Sequence, residues 1–140
     1  MITPRIHCTR LSKHQDLRKM LAAWVEEEDI LAATILSSVG SLSSVNLRLA
    51  NTEKHYTSRE PHEIISLNGT LSKHGLHLHL SVADSTGKVW GGHLMTDNLI
   101  FTTCELVIMI IPNFEFFREH DSSTGFRELK IAPNPLRLAK

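Results

Sequence analysis

The chain has 140 residues, 41% of them hydrophobic and 21% charged, with 15 Lys+Arg against 15 Asp+Glu. That balance excludes a disordered chain, a membrane-embedded one and a strongly basic nucleic-acid footprint, and the length fits one domain, 1–140, with its own core. Nine histidines are many for this length. They carry the first functional clue.

The N-terminal residues hold no long apolar segment, and the longest apolar run, 106–111, is too short to span a bilayer. Cys8 and Cys104 are too few and too far apart for a disulfide framework. A reduced, cytoplasmic chain without a membrane partner is expected. Cys104 lies beside an apolar run, which suits a buried, inert thiol.

In chain order, the first clear element is a helix. Leu17, Met20, Leu21, Trp24 and Val25 recur at the spacing of one helical face. Ser12 and Gln15 fit a capping box before it. Glu26, Glu27, Glu28 and Asp29 end it against the helix dipole, so these acids must be solvated or paired.

From residue 31 the pattern changes to strands. Residues 31–39 are aliphatic and β-branched, and Gly40-Ser41 breaks the run. Val45, Leu47 and Leu49 alternate with Asn46, Arg48 and Ala50. Residues 51–60 are polar and read as a connection. Ile64, Ile65, Leu67 and Leu71 mark another strand. Leu76, Leu78, Leu80 and Val82 alternate with His77, His79, Ser81 and Ala83. Asp84 to Gly87 forms a turn, and Lys88-Val89-Trp90 starts the returning strand. A β-rich run over 102–111 stops at Pro112, and an aromatic stretch and a tail follow. One helix followed by many strands predicts an α+β fold with a largely antiparallel sheet.

His77 and His79 share one face of their strand, roughly 7 Å apart, while Leu76, Leu78 and Leu80 take the other. A tight turn around Ser85-Thr86 sets His79 opposite residue 92, one position from His93. A bulge at Gly91-Gly92 would bring His93 onto the same face. Three neutral imidazoles on one face suit a borderline divalent ion, zinc above all, with a fourth position left open. The same spacing also suits a row of half-buried histidines bonded to carbonyls or carboxylates. His74 belongs to a turn and is expected in solvent. His62, after Pro61, stands at a strand start from which it could reach a site. Glu63, Asp84 and Asp97 are the nearest acid or base candidates. Arg48, Lys54 and Arg59 offer a basic edge, and Trp90 and Phe101 suit core packing more than base stacking. No nucleotide-binding glycine loop, nucleophile elbow or paired-cysteine motif occurs.

Several segments together resemble the PPC domain, conserved in plants and prokaryotes. They are Ser38-Val39-Gly40-Ser41-Leu42 with Leu47-Arg48, Leu67-Asn68-Gly69-Thr70-Leu71, His77-Leu78-His79-Leu80-Ser81-Val82-Ala83-Asp84, Gly91-Gly92-His93-Leu94 and Thr124-Gly125-Phe126-Arg127-Glu128-Leu129. The similarity spans about residues 5–131. It implies a homotrimer, with which the apolar strands 31–39 and 104–111 agree. It implies a DNA-binding, regulatory protein, and a metal on His77, His79 and His93, as in some prokaryotic members. Two family features are absent. The chain has no Arg-Gly-Arg-Pro minor-groove arm, and Glu60-Pro61-His62-Glu63-Ile64-Ile65 stands where the plant partner motif reads Gly-Arg-Phe-Glu-Ile-Leu. The alternative to DNA binding is a zinc-dependent enzyme or small-molecule binder with the metal at its centre. Glu63, from the same or a neighbouring subunit, is then the candidate general base. A third role for the ion is structural, tying the hairpin together.

Overall fold

A computed structural model describes residues 3–134. Ten strands and one helix run in the order β1 (Arg5–Ser12), α1 (Leu17–Glu27), β2 (Ala33–Leu42), β3 (Val45–Arg48), β4 (His55–Ser58), β5 (His62–Ser72), β6 (Gly75–Ala83), β7 (Val89–Leu94), β8 (Ile100–Ile110), β9 (Phe114–His120) and β10 (Arg127–Pro133). Eight strands form one sheet in the order β1-β8-β2-β5-β6-β7-β3-β4, and β9 and β10 form a separate hairpin. Every strand pairing is antiparallel. This is the expected α+β class.

The apolar stripe of α1 places Leu17, Leu21 and Val25 in one continuous core with Leu71, Leu78, Leu80, Leu106 and Ile108 of the sheet. Burying a leucine of this kind removes it from water at a gain of about 1.5–3 kcal/mol. Cys104 is fully buried, as its apolar neighbourhood implies, and burial raises its thiol pKa.

Two local expectations change. Ser12 and Gln15 do interact, the Ser12 N–H donating to Gln15 Oε1 at 2.6 Å, but they close the turn ahead of the helix. The N-cap is Asp16, whose Oδ1 accepts from Lys19 N–H at 3.0 Å while Oδ2 accepts from Asp97 N–H at 2.6 Å. One carboxylate therefore caps α1 and fastens a distant loop. The polar stretch 51–60 is not only a connection: residues 55–58 form β4, an edge strand paired with β3. Its alternation is half-exposed, and no apolar face announced it. At the acidic end of α1, Asp29 pairs with Lys73 at 2.7 Å.

A polar knot lies inside the loop before β8. Asn98 is fully buried, donating from Nδ2 to the carbonyls of Asn46 and Met95 and accepting at Oδ1 from Asn46 N–H. With its amide satisfied, it joins β3 to the β7–β8 connection.

Candidate metal centre and cavity

The β6–β7 hairpin pairs Ala83 with Val89, Leu80 with Gly92 and His79 directly with His93. No bulge interrupts it, so the anticipated Gly91-Gly92 bulge does not form. The turn does that work instead. It spans five residues, Asp84 to Lys88, closed by Asp84 N–H to Lys88 C=O at 3.0 Å and Gly87 N–H to Asp84 C=O at 2.9 Å. The Asp84 carboxylate accepts from Thr86 N–H, Thr86 Oγ1 and Lys88 N–H and holds the turn. These bonds pull its pKa down to about 2. The extra turn residue shifts the register by one and turns His93 onto the face of His79.

Gly92 has a different purpose. A Cβ there would stand 2.6 Å from Arg48 O and 3.2 Å from Leu47 Cβ, so only glycine lets β3 close on β7. That approach pairs Arg48 with His93. Gly69, at φ +144°, plays the same part under β6, where a Cβ would overlap His77 O.

The three histidines converge. One candidate ligand atom from each of His77, His79 and His93 lies within 4.8 Å of the others. His77 Nε2 and His79 Nε2 are 3.2 Å apart, close to the roughly 3.3 Å between two nitrogens of a tetrahedral zinc shell. His93 Nδ1 is buried and finds no hydrogen-bond partner among the described residues. Burial, then His77 and then Arg48 hold the His93 pKa down to about 4, and burial followed by Arg118 lowers that of His77. His77 and His93 are therefore neutral near pH 7, the form that a metal requires. By spacing, orphaned nitrogen and donor chemistry, the residues fit a divalent ion.

The cluster opens on a cavity of about 990 Å³. The β9–β10 hairpin forms part of its wall. Phe116 N–H donates to Leu31 C=O, Ser72 Oγ donates to Phe116 C=O, and Arg118 Nη2 donates to Thr70 Oγ1 beside His77. Arg18, Arg48, Arg118, Arg127 and Glu128 all line the cavity. Of these, only Arg48 stands out in the sequence as a candidate. Thr124 to Leu129 resembles the family but carries no chemical spacing that would place it over β6.

The remaining candidates divide clearly. Glu63 pairs with Ala83, four residues along β6 from His79 and so roughly 13 Å away, and is not brought to the histidines of its own chain. His62 is buried with both ring nitrogens occupied, by Glu60 C=O at 2.8 Å and Tyr56 Oη at 2.9 Å, and is structural. His74 is not simply solvated: it bonds Glu115 at 2.7 Å and stacks on Phe117 at the cavity edge. Asp97 pairs with Arg59. Trp90 stacks on Tyr56 at 4.2 Å, in agreement with a packing role.

A family model for the Plants and Prokaryotes Conserved (PCC) domain matches residues 3–112. The chain belongs to this family. The PCC match takes in every strand of the main sheet and all three histidines. The bifunctional protein GlmU of two Synechococcus strains is 43% and 42% identical over 92% and 91% of the chain. The match is 20% of each relative, so the chain spans about a fifth of their length. A Salmonella hypothetical protein superposes with a TM-score of 0.91 at 39% identity, over 94% of this PCC chain and 96% of that one. A metal-containing protein from Archaeoglobus fulgidus gives 0.74 at 27% identity, over 90% and 93% of the two chains. A Bacteroides thetaiotaomicron protein named as a "putative dna binding protein" gives 0.78 at 25%, over 89% and 91%. No helix among the described residues is long and apolar enough to cross a membrane.

Proposed function

We propose that this PCC domain is a metal-dependent small-molecule binder, with zinc held by His77, His79 and His93. The observation that carries the reading is the convergence of three imidazoles, one with an orphaned buried nitrogen, on the floor of an open cavity. The metal-containing Archaeoglobus relative supports it. Three protein ligands leave a zinc ion a position for water or a ligand oxygen, and the ion acidifies water bound there. The chain's own part is to keep His93 neutral by burial and to fix His79 and His93 face to face through the five-residue turn. Of the two glutamates that line the cavity, Glu53 and Glu128, it is Glu128 whose charge acts on His77. Glu63 serves as a base only if a neighbouring subunit presents it.

A homotrimer fits the exposed face of the sheet. Ile6, Leu36, Val39 and Ile65, on β1, β2 and β5, are each more than half exposed. An uncovered apolar area of this kind favours self-association. Light scattering is expected to give three times the 15.8 kDa chain mass.

DNA binding is the second reading, supported by the family resemblance and the Bacteroides relative's name. Net neutrality and the concave placement of the arginines favour the small-molecule reading. Elemental analysis of tag-free protein tests the choice. About one zinc per chain, absent from the His77→Ala/His79→Ala/His93→Ala variant, is expected. No metal in the wild type after zinc is offered and excess removed would overturn the proposal. Steep, salt-dependent binding of duplex DNA by that metal-free protein would then favour the second reading.

A further inference from the structure

The charge around the histidines is one-sided. Four arginines line the cavity, against two glutamates, Glu53 and Glu128. They come from separate elements: Arg18 from α1, Arg48 from β3, Arg118 from β9 and Arg127 from β10. Two of them have structural duties. Arg127 donates from Nε and Nη2 to Arg118 C=O, and Arg118 donates to Thr70.

The other two are differently placed. Arg18 Nη1 is buried and has no hydrogen-bond partner among the described residues. Arg48 stands beside His93, and no ion pair holds Arg18 or Arg48 among the described residues. The Asp16 carboxylate acts on Arg18 through its charge alone, its two oxygens already accepting from Lys19 N–H and Asp97 N–H. A buried guanidinium donor that no acceptor reaches costs free energy unless an anionic ligand answers it. The nearby histidines cannot: they are neutral or, if charged, of the same sign.

We propose that the cavity binds a small oxyanion-bearing ligand, a phosphate or carboxylate compound, held by Arg48 and Arg18 with one oxygen directed to the three-histidine centre. The inference deepens the proposed small-molecule site and rests on that reading only for the metal-facing end of the ligand. A guanidinium offers a planar pair of donors that matches carboxylate and phosphate geometry. A cation at the histidines adds to the same field and selects against cationic ligands. The size of the cavity leaves room for an organic body behind the anionic group.

Calorimetric titration of zinc-loaded and chelator-treated protein with inorganic phosphate and with succinate tests this, at constant low chloride. Saturable binding of at least one is expected, and the tighter of the two identifies the oxyanion class. Arg48→Met and Arg18→Met are each expected to weaken it by about tenfold or more, with zinc content unchanged. Arg59→Met, whose residue pairs with Asp97 outside the cavity, is the control and is expected to match the wild type. Should Arg18→Met unfold, Arg48→Met alone decides, since Arg48 is only half-buried. Two results overturn the clamp: no saturable binding of either anion, or variants that bind as the wild type does. Zinc retention without anion binding sinks the clamp and leaves the metal site standing. Anion binding that depends on Arg48, in a protein that retains no zinc, does the reverse.

Discussion

His62 and His93 are both withdrawn from solvent, and they show two uses of a partly or fully buried histidine. His62 is bonded at both nitrogens, to a carbonyl and a tyrosine hydroxyl, under the β3–β4 hairpin. Among the described residues, His93 keeps a buried nitrogen with no partner, beside two more histidines and an arginine without an ion pair. Asn98 behaves as His62 does: it is buried, fully bonded and not among the residues that line the cavity. The contrast separates polar groups that hold the fold from polar groups held ready for a ligand. A satisfied buried group needs nothing further, whereas an unsatisfied one carries a desolvation cost that binding removes.

The largest effect that separates these regions is expected at Asn98. Asn98→Ala removes three hydrogen bonds and leaves Asn46 groups unpaired, so urea denaturation should show a loss of about 2–4 kcal/mol. His62→Ala comes next, at about 1–3 kcal/mol by the same assay, because Tyr56 and Glu60 lose their partner. His93→Ala in metal-free protein should cost less than His62→Ala, since no bond is broken, yet should abolish zinc retention. If His93→Ala destabilises the metal-free protein as much as His62→Ala does, the two histidines are alike and the contrast fails. Zinc should raise the melting temperature of the wild type and leave His93→Ala unmoved, because a ligand that binds only the folded state stabilises it.

The smallest effect concerns the turn that sets the register. The Asp84 carboxyl titrates at about 2 in the folded chain against an ordinary 3.8. A depressed carboxylate pKa contributes stability that is present above 3.8 and fades as pH falls through about 2. Asp84→Asn should flatten that part of the acid-stability profile. Because Asp84 also fixes which residue faces His79, the variant should lower zinc retention at pH 7 more than it lowers stability. Equal retention would show that the strands, not the turn, set the register.

Much of this was legible in the sequence. The helical stripe from Leu17 to Val25 and the alternation from Leu76 to Ala83 are periodic, and periodicity follows from backbone geometry alone. It put His77 and His79 on one face and the leucines on the other. The quoted motifs fixed the family. The bulge at Gly91-Gly92 was misplaced because a turn's length depends on its closing bonds, and Asp84 supports five residues where a tight turn needs fewer. β4 was missed because a half-exposed edge strand needs no apolar alternation. Arg18, Arg118 and Glu128 carried no signal at all, since their meaning lies in three elements meeting across more than a hundred residues of chain.

The sequence by itself determined the fold class and the two faces of β6, with His77 and His79 together on one of them, because local spacing settles which side chains share a face; His93 entered only through an expected bulge and the family resemblance. Only the tertiary structure decided that His93 pairs with His79, that His62 is spent on the fold, and that arginines from α1 and β3 stand beside the imidazoles with no ion pair among the described residues. Those outcomes depend on strand register, on the close approach that Gly92 permits and on a C-terminal hairpin folded over the sheet, none of which has a local periodicity to read.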